Sequence, residues 1–239
     1  MTKSIAVFNQ TGLNGSGVGS AGDENSNLLS IIQNEIDSGS DYSINANIVN
    51  FTDTTNLQSQ ISGSDFFFMT DMETKDPLEA TFLPAAAKDI LKDFVQNGGK
   101  IVQTGTYGTK DVNFLNTIFD LNLASASSSS YDKNSSNTAG TVFDSGPDSL
   151  DSPSATDSID ASSITNGSYV SYYGDSSNSV LGEISYGSGK IYFVGFDFYS
   201  AGFANDWGSG THTAGSQNTS PYVTFALPAM IEAAANSSP

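Results

Sequence analysis

The spacing of apolar residues changes period most clearly between Leu83 and Gly108. Ala87, Ile90, Leu91, Phe94 and Val95 recur at i, i+3, i+4, i+7 and i+8, which draws one apolar stripe along a helix. Pro84 suits the first turn of that helix, where a missing N–H costs nothing, and Gly98 suits the left-handed position just past its end. Residues 100–104 follow as a short β-prone run that breaks at Gly105-Thr106-Tyr107-Gly108. Helix, glycine stop, buried strand and glycine-bracketed turn predict one αβ unit of a layered α/β domain.

The same reading extends to the rest of the chain. Residues 4–8 (SIAVF) and 65–69 (DFFFM) are continuous apolar runs, the kind a parallel sheet buries on both faces. Residues 44–51 alternate as a second strand. Leu28, Leu29, Ile31, Ile32 and Ile36 mark a helix before it, a weaker helix covers 57–61, and another covers 112–119. Residues 169–173 and 180–186 are strand-like. The turn Gly187-Ser188-Gly189 leads into 190–198 as a hairpin, and Pro221 opens a last helix ending near Ala235. The order predicts a doubly wound, mostly parallel, flavodoxin-like sheet with a β-hairpin extension. It also predicts one domain over 1–239. The Ser/Asp/Asn-rich stretch 124–168 has few apolar anchors and reads as a long surface insertion within that domain, with Ser125 to Ser130 a solvated connector.

Composition narrows the function. The 26 acidic residues against 8 basic ones, all lysine, give a formal charge of −18. A chain without arginine and with this sign is a poor match for phosphate and base edges, so nucleic acid is not an expected partner. No run is long and apolar enough to suggest membrane insertion, and the first residues enter a strand without a signal core. The absence of cysteine removes disulfides, zinc–thiolate sites and thiol nucleophiles together. Abundant carboxylates keep a particle soluble and can hold divalent cations, which makes Ca²⁺ the one cofactor worth considering.

Several stretches together resemble the class I glutamine amidotransferase-like superfamily, in its non-catalytic branches among bacterial surface and sugar-related proteins. They are Asp65-FFFM-Thr70-Asp71, the helix end Phe94-Val95-Gln96-Asn97-Gly98-Gly99, the turn from Thr104 to Gly108, Phe143-Asp144-Ser145-Gly146-Pro147, and the run from Tyr186 to Asp197. The resemblance implies a cysteine on the turn after the central strand, in a Gly-x-Cys-x-Gly frame, and a His followed two residues later by Glu. Here the frame reads Thr104-Gly105-Thr106-Tyr107-Gly108, so Thr106 takes the nucleophile's place. The sole histidine, His212, is followed by Thr213 and Ala214. A threonine hydroxyl without an adjacent base is a poor nucleophile. The resemblance therefore carries the scaffold and not the activity.

Other candidates stay open. The loop from Gly12 to Gly22 could cradle an anion, or its glycines could simply permit tight turns. Asp71, Glu73, Asp76 and Asp197 would gather near the carboxyl edge of the sheet, as Ca²⁺ ligands, as a carboxylate pair for glycoside hydrolysis, or as solvated charge. Tyr107, Tyr199 and Trp207, with Phe203, could form an aromatic platform for a sugar or pack beneath a loop. The expectation is a structural or adhesive protein outside the cytoplasm, in a cell-surface layer, a secreted assembly or a virus particle. It would act by self-association or by binding neighbouring structural proteins or glycans. A carbohydrate-active hydrolase using the strand-end carboxylates is the alternative.

Overall fold

The computed structural model describes residues 2–8, 10, 28, 31–33, 36–37, 41–48, 51–70, 72, 76–105, 107–152, 156–196, 198 and 220–236; for 46–48 and 107 it describes the backbone alone. Five strands form the centre: β1 (Lys3–Phe8), β2 (Tyr42–Ile48), β3 (Phe66–Met69), β4 (Lys100–Thr104) and, last in the chain, β11 (Gly189–Val194). They lie in the order β2-β1-β3-β4-β11 and are parallel throughout. This is the flavodoxin-like order, with the direction of winding reversing between β1 and β3.

Helices cover both faces. On one face α1 (Thr54–Ser62), α2 (Ala85–Gln96) and α3 (Lys110–Phe119) bury Leu57, Ile61, Ala87, Leu91, Val95 and Phe114 against Ala6, Phe8, Phe67, Met69 and Ile101. On the other, α5 (Leu227–Asn236) and the helical residues Leu28, Ile31 and Ile32 cover Ile5, Val7, Phe66, Phe68 and Val102. Strands buried on both faces account for the unbroken apolar runs. The stripe on α2 is narrower than its spacing suggests, since Ile90 and Phe94 pack only partly against the core. Pro84 is the N-cap of α2 and precedes its first turn. Gly98 takes the left-handed conformation (φ 103°) that closes the helix.

Beyond β11 the sheet turns antiparallel through β10 (Asn178–Tyr186), which pairs with β11, with β9 (Ser168–Asp175) and with β8 (Ser158–Asp160). The expected hairpin at Gly187-Ser188 is present, and its second arm is the fifth central strand. Ser125 to Ser130 is mostly solvent-exposed, but its start is paired: residues 124–126 form β5 (Ala124–Ala126), joined to β8 as one end of the sheet. A second ladder joins β6 (Ser130–Asp132) to β7 (Ser149–Asp151), with the short helix α4 (Ser135–Thr138) between them. The Ser-rich stretch also has anchors: Tyr131, Phe143, Leu150 and Ile159 are fully buried, and Phe143 stacks on Tyr172 at 4.0 Å. Polar neighbours hide these single anchors from periodicity. The second strand ends at Ile48, and Phe51 instead lies in a turn that stacks it on Phe8 at 4.8 Å.

Candidate functional site

Open α/β sheets bind ligands outside the carboxyl ends of their strands, near the point where winding reverses. Here that edge is made by the residues after β1, β3, β4 and β11. The Thr70 hydroxyl, just past β3, donates to the Phe8 carbonyl at 3.0 Å and ties the two switch-point strands together. Gln10, past β1, accepts the Phe51 amide at 3.3 Å through Oε1. Gln103 and Thr104 close β4, fully buried, and the Gln103 amide donates to the Thr104 carbonyl at 2.9 Å. Among the described residues, Gln103 Oε1 and Thr104 Oγ1 have no hydrogen-bond partner.

The turn after β4 is pinned from below. The Gly105 amide donates to the Val194 carbonyl at 2.7 Å. A Cβ at Gly105 would stand 2.8 Å from the Gly195 carbonyl carbon and 2.9 Å from the Phe196 nitrogen, so only glycine lets β4 and β11 end this close together. Tyr107–Thr109 form one 3₁₀ turn, with Gly108 (φ 73°) and Thr109 (φ 66°) left-handed, and α3 starts directly after. Asp111 in its first turn is fully buried, and its Oδ1 accepts the Val112 amide at 2.7 Å. A carboxylate at a helix N-terminus is electrostatically favoured.

Thr106, Asp71, Glu73, Asp197, Tyr199, Trp207, His212 and the loop 12–22 lie outside the described residues. Of Tyr107 the backbone is in the 3₁₀ turn. Asp76 is exposed and accepts the Leu78 amide at 2.9 Å, a local turn bond. Among the described residues no three acidic, His or Cys side chains gather as a cation site. The buried polar residues that follow β1, β3 and β4 or close β4 are Gln10, Thr70, Gln103 and Thr104, of which Thr70 and Thr104 belong to the stretches that carry the resemblance and Gln10 and Gln103 were not singled out. The available signal was Gln103, an amide directly after Ile101 and Val102 in a strand that the sheet buries on both sides.

Charge collects at the opposite, amino edge. A cleft of about 690 Å³ there is lined by Lys3, Asp65, Asp93 and Lys100, and by the C-terminal ends of α1, α2 and α5. Lys3 pairs with Asp65 at 3.8 Å. Burial, and then the charges of Lys3 and Lys190, hold the Lys100 ammonium below its ordinary pKa of 10.5, with Asp65 opposing. Helix C-termini carry partial negative charge that lysines complement, which gives these cations a structural role. On the α5 face, the buried carboxylate of Glu183 accepts from the Tyr172 hydroxyl and the Lys190 ammonium, both at 2.8 Å.

No family model matches the chain, and no curated protein does. Solved structures do. A ThuA-like protein of Bacteroides uniformis superposes with a TM-score of 0.52 at 9% identity, over 98% of this chain and 89% of that one. Two Salmonella typhimurium proteins described as cytoplasmic give TM-scores of 0.55 and 0.54, both at 11% identity; the first covers 96% of each chain, the second 97% of this chain and 96% of that one. At such identities the likeness is one of fold. What the chain shares with these structures is the layered α/β architecture with its mostly parallel sheet.

Proposed function

We propose that this chain is a non-catalytic, amidotransferase-like domain that builds or adheres, as a component of an extracellular assembly such as a cell-surface layer, a secreted assembly or a virus particle. The observation that carries the reading is the complete absence of cysteine from a chain with this scaffold. No thiol can attack from the turn after β4. Thr106, the residue in the nucleophile's frame, has only one histidine anywhere in the chain to serve it, without the Glu two residues on. The acidic, arginine-free composition supports a particle that stays soluble and meets partners through polar surface. Its partners are copies of itself, neighbouring structural proteins or glycans, with Ca²⁺ as the ion that would bridge carboxylates.

The test combines fractionation of the native source with light scattering of the purified chain, with and without Ca²⁺, and a glycan array. The reading expects the protein outside the cytoplasm, together with self-association or glycan capture. A monomer that binds nothing and resides in the soluble cell fraction overturns it. Glycosidase turnover lost in Asp71→Asn or Asp197→Asn would establish the hydrolase in its place.

A further inference from the structure

Three of the eight lysines stand at or next to the amino ends of β1, β4 and β11. Strand residues alternate between faces, and Ile5, Val7, Val102, Tyr192 and Val194 share one core with α5. Lys3, Lys100 and Lys190 therefore all lie on the α5 face. Lys100 is the most enclosed of them. It is 7% exposed, has Lys190 as its direct Cα partner, and has Lys3 beyond the Asp65 that precedes β3. Lys3 and Lys190 stay partly exposed. Complementing helix ends asks for positive charge, not for enclosing one ammonium between two others. An amine set in this way gives up its proton more readily, and the Lys100 pKa is lowered, by burial first and then by the neighbouring cations.

Lys100 also lines the amino-edge cleft, whose volume of about 690 Å³ is that of a small-molecule site. Ile90 and Phe94 of α2 line it too, and the core covers them only partly, so the cleft that reaches the amine offers apolar surface. We propose that this cleft takes a small aldehyde or ketone carrying an apolar group, and that the Lys100 ε-nitrogen holds it as an imine. The nitrogen lone pair attacks the carbonyl carbon. Both hydrogens of the neutral amine then leave with the carbonyl oxygen as water, so the step needs no oxidant or reductant. A neutral ligand suits the charges in the cleft: a cation would meet Lys3 and Lys100, and an anion would meet Asp65, Asp93 and the carbonyl ends of α1, α2 and α5. Of the remaining carboxylates on this face, Glu183 is held by Lys190, and Glu232 of α5 is exposed and lines a separate cleft with Lys3 and Asp41. The proposal adds a covalent capture site and stands apart from the assembly reading.

Reductive trapping on the full chain tests it. The protein is incubated with benzaldehyde or butanal, with glyoxylate as the charged control, and cyanoborohydride converts any imine to a stable secondary amine. Peptide mass spectrometry then compares all eight lysines. At pH 7 Lys100 should carry the benzyl or butyl group at least about tenfold faster than the partly exposed Lys88 and Lys110. That lead should shrink as the pH approaches 10.5, because the other amines then lose their protons as well. Lys3→Met, which removes one neighbouring cation and keeps the amine, should cut Lys100 labelling at pH 7 by about half or more. Lys100→Arg, which keeps the charge, should abolish the fast adduct. Burial without reactivity predicts the reverse order, with Lys100 labelled last, and that result overturns the proposal. So does a lead that does not change with pH, or reaction with glyoxylate alone.

Discussion

Lys100 and Lys190 are direct Cα partners across the parallel pairing of β4 and β11, so two ammonium side chains start side by side at the amino edge of an otherwise strongly acidic protein. Like charges on neighbouring strands repel. Lys190 is answered by Glu183, whereas burial and the two other lysines pull the Lys100 pKa down. A cation whose folded pKa is lowered binds its proton less tightly in the native state than in the unfolded one. Stability therefore rises with pH as Lys100 loses its proton, up to its ordinary value of 10.5. We expect the Tm difference between Lys100→Met and wild type, variant minus wild type, to fall as pH rises from 7 to 10.5. A difference independent of pH in calorimetric scans would refute this.

Glu183 joins Tyr172 and Lys190, and its side chain is only 10% exposed against 31% for the lysine. Glu183→Ala strands a buried hydroxyl and a half-buried ammonium, and should cost about 2–3 kcal/mol in urea unfolding. Glu183→Met fills the space and lets the lysine reach water, so its loss should be smaller. Equal losses in both variants would mean that packing, not charge, dominates at this position.

Three buried tyrosines and the half-buried Tyr169 set the alkaline limit. Burial raises Tyr169, Tyr172 and Tyr222 above the usual phenol range and pushes Tyr173 up to about 12. A raised pKa means that the folded state keeps the proton longer. This contribution to stability is complete below pH 10 and is lost as the pH rises through about 12 for Tyr173. Absorbance at 295 nm should show these phenols ionising together with the loss of far-ultraviolet ellipticity above pH 11–12, as an approximate range. Gradual ionisation in a protein that stays folded would contradict their burial.

Phe143 belongs to the Ser-rich stretch yet stacks on Tyr172 of β9. Phe143→Ala should destabilise the whole domain by about 3–5 kcal/mol in a single transition. Loss of less than about 1 kcal/mol, or a separate early transition, would show that the stretch is only loosely attached.

Gly105→Ala tests the closure of β4 against β11. The added methyl meets backbone atoms at 2.8 and 2.9 Å, which cannot swing aside as a side chain would. A cost of about 1–3 kcal/mol is expected, together with slower formation of any complex at the strand ends. Wild-type stability in this variant would mean that the two strand ends move apart freely.

The central layers were legible because two-sided burial writes itself as uninterrupted apolar runs, Phe66 to Met69 being the plainest, and because α2 carries its stripe and its glycine stop in one short segment. The sheet's parallel order and the glycine turn at 187–188 followed from the same local chemistry. The missing thiol also needed no coordinates. Register and company did need them. Tyr131, Phe143 and Leu150 enter the core one at a time among serines and aspartates, and a lone apolar residue has no period to announce it. The pairing of β5 with β8 joins residues about 35 positions apart, a distance that no local pattern encodes. The same holds for the strand-end amide and hydroxyl of Gln103 and Thr104. Their residue types are visible in the chain, but their burial arises only when the five parallel strands and helices on both faces close around them.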